Sequence, residues 1–245
     1  MKIHFKIFLV LAFSVYISFL INDVRAEDTE YDLKSYYPIK QGNVMIYKEK
    51  VEGAAKAQKC FSATFGIELL GFTPVNRVWE WESSDTEGFG YELLAWHLTE
   101  GLKLYKEYEG DEYLEYDEPM ILFPPKMKIE DSIGPASYNY KWYDSDGEEL
   151  FSGTESVTLT LLGLEDITVD AGVFTDCLKF QEEGSWEEST GDWGNYKDTF
   201  WLAKNVGMVK CIEEETEFES GEEETETVIF ELKKSFLIPI TLGKD

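Results

Sequence analysis

The chain has 245 residues, with 49 acidic side chains against 22 lysines and arginines, a formal net charge of -27 at pH 7. A surface this negative excludes nucleic acid and anionic membranes as partners through like-charge repulsion. Aromatics at 15% and apolar residues at 43% exclude a disordered acidic tail, and the length suits one β-sandwich or barrel.

In chain order, Lys2, His4 and Lys6 precede an apolar run over 7–21 and a small-residue site at Val24-Arg25-Ala26. This is the build of a secretory signal peptide over 1–26, cut after Ala26. The alternative is a retained anchor, but the run is shorter than the ~20 apolar residues a span needs. With no second run of that length, no stable membrane span is expected after cleavage, and the protein is expected to be exported, periplasmic or extracellular. Residues 27–35 are polar and read as a flexible lead-in; 36–245 read as a single β-rich domain.

Pro38 and Gly42-Asn43 shape the entry, and strands are predicted over 44–50, 60–70, 77–82, 89–98, 102–108 and 112–116. Residues 83–88 read as a polar loop. The apolar segment 119–125 carries Pro119, Pro124 and Pro125, which cannot donate to a ladder, so it is expected at an edge or crossing. Asp144-Ser145-Asp146-Gly147 is a hairpin signal between alternating strands. Residues 164–180 read as two strands around a corner at Ala171-Gly172, with Phe174, Leu178 and Phe180 on one face by the period of two. Asp176 falls on that face too and needs a partner or an exit to water. Strands follow over 177–186, 198–203, 206–218 and 225–237, with a tight link at Lys204-Asn205. No helical pattern reaches three turns. The expected fold is all-β, a single domain of curved antiparallel meander sheets, as a sandwich or open half-barrel.

Chemistry is sparse. His97 lies on a predicted strand with no Gly-x-Ser-x-Gly elbow to accompany it. The three cysteines, Cys60, Cys177 and Cys211, are an odd number; Cys177 and Cys211 lie on strands that could be neighbours, as a disulfide or as buried thiols. Asp144, Asp146 and Glu149 faintly resemble a calcium loop but lack its terminal bidentate acid, and a turn explains them equally. Trp193 stands out among seven tryptophans because it lies in a loop, where it could stack on a ligand. The acidic run 213–226 puts like charges on both arms of one hairpin, either a solvated tip or a site for calcium or a basic partner. Phosphate loops and cofactor fingerprints are absent, so no cofactor is expected.

Four landmarks carry a resemblance: Tyr37-Pro38-Ile39-Lys40-Gln41-Gly42-Asn43, then Gly101-Leu102 with Pro124-Pro125, then 165–179, then Trp201-Leu202-Ala203-Lys204-Asn205-Val206-Gly207-Met208-Val209-Lys210. They resemble a family of exported bacterial β-rich proteins of unknown function with the pattern Tyr-Phe-Pro-Leu…Gly-Asn, Val-Pro-Ala-Gly-Thr-Phe and Gly-Val-Gly-Leu-Val-Lys. Asp170 stands where that pattern has proline, and Asn205 where it has glycine. The family is distantly similar to the LolA/LolB-like lipoprotein carriers, whose curved sheet shelters an apolar ligand. The resemblance implies an exported protein without catalytic machinery that binds a hydrophobic small molecule, a lipid or an envelope partner in a concave sheet. The alternatives are a carboxylate-based glycoside hydrolase, for which acids are abundant, and a calcium- or basic-partner-binding surface protein using 213–226.

Overall fold

The structure is a computed structural model that describes residues 29–54, 56–71, 73–82, 89–219 and 221–237. The expected signal peptide and the loop 83–88 lie outside them. Fourteen strands follow in order: β1 (Tyr31–Asp32), β2 (Val44–Val51), β3 (Gln58–Leu70), β4 (Thr73–Glu82), β5 (Phe89–His97), β6 (Gly101–Glu109), β7 (Glu112–Phe123), β8 (Lys126–Met127), β9 (Ser132–Tyr143), β10 (Glu149–Val169), β11 (Gly172–Glu188), β12 (Trp193–Ala203), β13 (Gly207–Glu219) and β14 (Glu222–Phe236). Twelve of them form one antiparallel sheet, in the order β10-β11-β12-β13-β14-β2-β3-β4-β5-β6-β7-β9. The sheet closes on itself because β9 pairs both β10 and β7. The meander is therefore a closed barrel rather than a sandwich or an open half-barrel. Closure satisfies edges that an open sheet would expose.

Alternation along each strand sends one face inward. The main core draws Val78, Leu94, Leu104, Leu114, Tyr116, Phe123, Leu159, Phe180, Phe200 and Cys211 from β4–β7 and β10–β13 and packs much of the lumen. Phe180 and Phe200 stack at 5.3 Å, and Phe123 meets both edge-on. One end is stoppered by the N-terminal segment. The flexible lead-in expected over 27–35 is instead anchored from Tyr31: β1 pairs β8, and a 3-10 turn at Leu33–Ser35 buries Leu33 completely. Its backbone is held by Leu33 N–H to Pro125 O (3.1 Å) and Asn205 N–H to Ser35 O (2.6 Å), and Trp96 Nε1 donates to Tyr37 O at 3.0 Å. Asn205 takes a left-handed φ of 63°, which asparagine tolerates better than most residues.

The hairpin of β10 and β11 departs from simple alternation. A bulge displaces the register between Glu165↔Cys177 and Ile167↔Phe174, and Asp176 adopts φ 53° there. Phe174 therefore leaves the face of Leu178 and Phe180. It packs with Ile167, Cys177, Trp201, Val209 and Leu232 in a second core. Asp176 exits to water, its N–H donating to Asp166 Oδ1 at 3.0 Å. The two cysteines are not on neighbouring strands: Cys177 on β11 and Cys211 on β13 are separated by β12 and belong to different cores, and both are thiols rather than one disulfide.

If the bulge sorts these aromatics between two cores, Phe180→Ala, at a completely buried position, lowers unfolding free energy by about 3–5 kcal/mol. Phe174→Ala, at a half-buried one, costs roughly half that. Urea denaturation of both variants checks the order; equal losses would contradict the bulged register.

Candidate functional site

The barrel is held shut between β7 and β9 by four residue pairs, Tyr113↔Tyr143 to Tyr116↔Tyr140. Beyond them the strands part. Pro119 in β7 has no N–H to offer, as the sequence suggested, and the segment is an edge on the β9 side. On β9, Gly134 takes φ 108° and lies so close to Val157 O that no Cβ would fit, which seats β9 on β10 and away from β7. Ile121 N–H donates to Tyr138 Oη at 3.3 Å, a side-chain tie across the gap.

The gap opens into a cavity of about 360 Å³ lined by Ile121, Pro124, Ile133, Ala136, Val157 and Leu159. Thr99 and Glu100, both exposed, mark its outer rim. Glu182 supplies a carboxyl on the inner wall. It sits on β11 between Leu159 of β10 and Asp198 of β12.

Behind Glu182 lies a network of acids and tyrosines. Tyr196 on β12 reaches across β11 to donate to Glu155 Oε1 on β10 at 2.7 Å. It can cross because the residue beneath its ring is Gly184, where a Cβ would collide with the ring carbons and hydroxyl. Tyr116 from β7 approaches Glu155 Oε2 at 3.0 Å and Glu107 Oε1 at 3.2 Å. A phenol has one proton to donate, so for both contacts to be hydrogen bonds one of these carboxyls must itself hold a proton. Burial and the neighbouring carboxylates push both phenols well above their usual range, so they remain donors. Burial raises Glu155 as well, against the opposing hydrogen bonds from Tyr196 and Tyr116.

Glu182 has no such help. Among the described residues its carboxyl faces Asp198 and Glu155, both like charges, and burial together with these neighbours pushes its pKa up to about 8. Burial, with Glu215 adding, lifts Asp198 to about 6. Both side chains are only half-buried in the sense of packed contact, since they border lumen space, yet the wall displaces much of the water that would stabilise their charge. The wall is sorted by sign: Glu155, Glu182, Asp198, Glu213 and Glu215 take inward positions, whereas Lys179, Lys197 and Lys210, the lysines of β11–β13, take outward ones.

The residues singled out from the sequence lie elsewhere. Asp144 Oδ1 accepts the N–H groups of Asp146 (3.0 Å) and Glu148 (2.9 Å), and Glu149 pairs with Lys141 at 2.7 Å, so the three candidate calcium ligands serve a hairpin turn. No group of three or more His, Cys, Asp or Glu is placed to hold a metal among the described residues. Trp193 stacks on Phe218 at 5.7 Å beside a shallow hollow bordered by Ser156, Ser185 and Asn195. His97 Nε2 shares a 2.7 Å hydrogen bond with Tyr105 Oη, with Glu100 3.9 Å from Nδ1. In the acidic hairpin Glu215 faces Glu226 and Glu217 faces Glu224 across the ladder. The acids of the cleft and lumen were not distinguishable in sequence from the other carboxylates; Pro119 was the signal that an opening lay nearby.

No protein-family model matches the chain, and no curated protein does. Among solved structures it is similar to a protein of Bacteroides fragilis described as exported and of YmcC-like fold, with a TM-score of 0.50 and 12% identity over 82% of this chain and 98% of that one. A lipoprotein, so described, from Parabacteroides distasonis gives a TM-score of 0.46 and 14% identity over the same shares. At such identity the first likeness is one of fold. Among the described residues no helix is long and apolar enough to cross a membrane.

The acids of the wall make a pH prediction with a definite sign. Folded Glu182 keeps its proton to about pH 8, whereas the unfolded chain releases it near the ordinary glutamate value of 4.5. Between those values the folded state binds more protons, so stability falls as pH rises. The melting temperature is expected to drop from pH 5 to pH 8. Glu182→Gln should flatten that drop, whereas Glu183→Gln, on the exposed face of the same strand, should not. Equal slopes in both variants would refute the assignment.

Proposed function

We propose that this is an exported, non-enzymatic binding protein that shelters the apolar part of a small molecule or lipid in the cleft between β7 and β9. The observation that carries this reading is the cavity itself: about 360 Å³, walled mainly by Ile, Val, Leu, Ala and Pro, and opening through a gap that the β7–β9 ladder does not close. Ligand sites of this kind are concave and largely apolar, with a few polar groups that fix orientation. Export is supported by the signal-peptide pattern over 1–26 and by the description of the similar Bacteroides protein. The sequence resemblance to lipoprotein carriers motivates the reading only by analogy; here the apolar space is stoppered by the segment Tyr31–Ser35.

A glycoside hydrolase reading has one observation in its favour, the cross-strand placement of Glu182 and Asp198. A sugar ring, however, presents hydroxyls that want several donors and acceptors, and the cleft offers mostly hydrocarbon.

The test is fluorescence titration with N-phenyl-1-naphthylamine, a neutral apolar dye. The wild-type protein should bind it with enhanced, blue-shifted emission. Ala136→Trp, which fills the cleft, should weaken binding by about tenfold or more while circular dichroism still reports a folded β protein. Undiminished binding by a folded Ala136→Trp would sink the cleft. Turnover of p-nitrophenyl glycosides, lost in Glu182→Gln, would favour the hydrolase instead.

A further inference from the structure

The cleft has a polar inner wall whose chemistry narrows what can occupy it. Its hydrocarbon lining runs inward past Val157 and Leu159 on β10 and meets Glu182 on β11. That carboxyl lines the cavity, and no described donor satisfies it. The side chain is half-buried at the cavity wall, where a polar group ordinarily finds a partner. Glu155, one strand away, shows what the usual solution looks like, with hydrogen bonds from Tyr196 and Tyr116. Glu182 is left for something that enters.

We infer that the cleft takes an amphiphile with a cationic amine head, its apolar chain between β7 and β9 and its ammonium against the Glu182 carboxyl. This rests on the proposal that the cleft is a binding site and adds the class of ligand. The groups facing Glu182 are Glu155 on β10, Asp198 and Tyr196 on β12, and Cys211 on β13, with Glu213 and Glu215 following Asp198 inward. None is a base. At the rim, Lys103 is already engaged by Glu100 at 3.1 Å, and the lysines of β11–β13 are on the outer face. A fatty carboxylate would bring one more negative charge to this wall, and a neutral alcohol would leave it unrelieved. An ammonium relieves the repulsion between Glu182, Asp198 and Glu155 and supplies up to three donors.

Binding of an ammonium stabilises the ionised form of Glu182, so a proton leaves as the ligand arrives. Glu182 otherwise holds that proton up to about pH 8. Affinity for an amine should therefore rise with pH by about tenfold per unit below that value, level off above it, and fall once the amine itself deprotonates near ~10.

The experiment is calorimetric titration of the folded protein with decylamine, decanol and decanoate at pH 6, 7 and 8, with dye binding measured in parallel. Decylamine is expected to bind at least about tenfold tighter than decanol, with decanoate weakest. Its affinity should climb with pH, and buffers of different ionisation enthalpy should report one proton released. Glu182→Gln should bring decylamine down to the decanol level and abolish its pH dependence. If the dye binds but decanol or decanoate matches decylamine, or if folded Glu182→Gln keeps the amine preference, the head-group assignment is wrong and the cleft stands. If neither dye nor any decyl compound binds, the cleft reading falls and this inference falls with it.

Discussion

Four residue pairs close this barrel. The ladder from Tyr113↔Tyr143 to Tyr116↔Tyr140 is where the two ends of a twelve-strand meander meet. Other neighbouring strands in the sheet are joined by longer registers, up to fifteen pairs between β10 and β11. Closure costs loop entropy and is recovered through contacts that an open sheet would lack. The seam accordingly gathers aromatic rings: Tyr113 stacks on Tyr143 at 5.0 Å, and Tyr116 meets Tyr138 and Tyr140 edge-on. Tyr116 then extends the seam inward by reaching Glu155 and Glu107.

The same seam creates the cleft by ending early. Pro119 and Gly134 lie just past its last pair, one lacking a donor and the other drawing β9 onto β10. A binding gap in a β-barrel wall needs a place where two strands are adjacent and yet unpaired, and proline at an edge supplies it without leaving an orphaned N–H. Val157 and Leu159 of β10, with Glu182 of β11, then line the gap from within. Fold and candidate site thus share one cause, an interrupted ladder.

Inside, charge is arranged against the usual preference. Glu155, Glu182, Asp198, Glu213 and Glu215 face the lumen, whereas the lysines of β11–β13 face water. The protein keeps the cluster by holding protons and by aiming phenols at Glu155, with Gly184 clearing the path for Tyr196. Glu182 is outside that arrangement. A half-buried carboxyl to which no described side chain donates is a stability cost, and costs of this kind concentrate where a ligand completes the structure.

The strand pattern was legible from residues alone because alternation and turn chemistry are local: the hairpin at Asp144-Gly147, the link at Asn205 and the edge at Pro119 all stand where the sequence put them. Local rules also misled. A period of two joined Phe174 to Leu178 and Phe180, and the bulge at Asp176 separated them, since one inserted residue inverts every side chain beyond it. The polar stretch 27–35 read as loose, yet Leu33 is wholly buried because the barrel end it fills is assembled from distant strands. The site was the least visible part. Glu182 is one of 49 acids, and nothing near it in sequence marks it. The sequence by itself determined the β class, the turns and the proline-bearing edge, because those depend on the backbone preferences of neighbouring residues. Only the tertiary structure decided that the sheet closes, that the edge becomes a cleft and that Glu182 lines it with no donor among the described residues, because burial and electrostatic surroundings are set by strands that meet across the whole length of the chain.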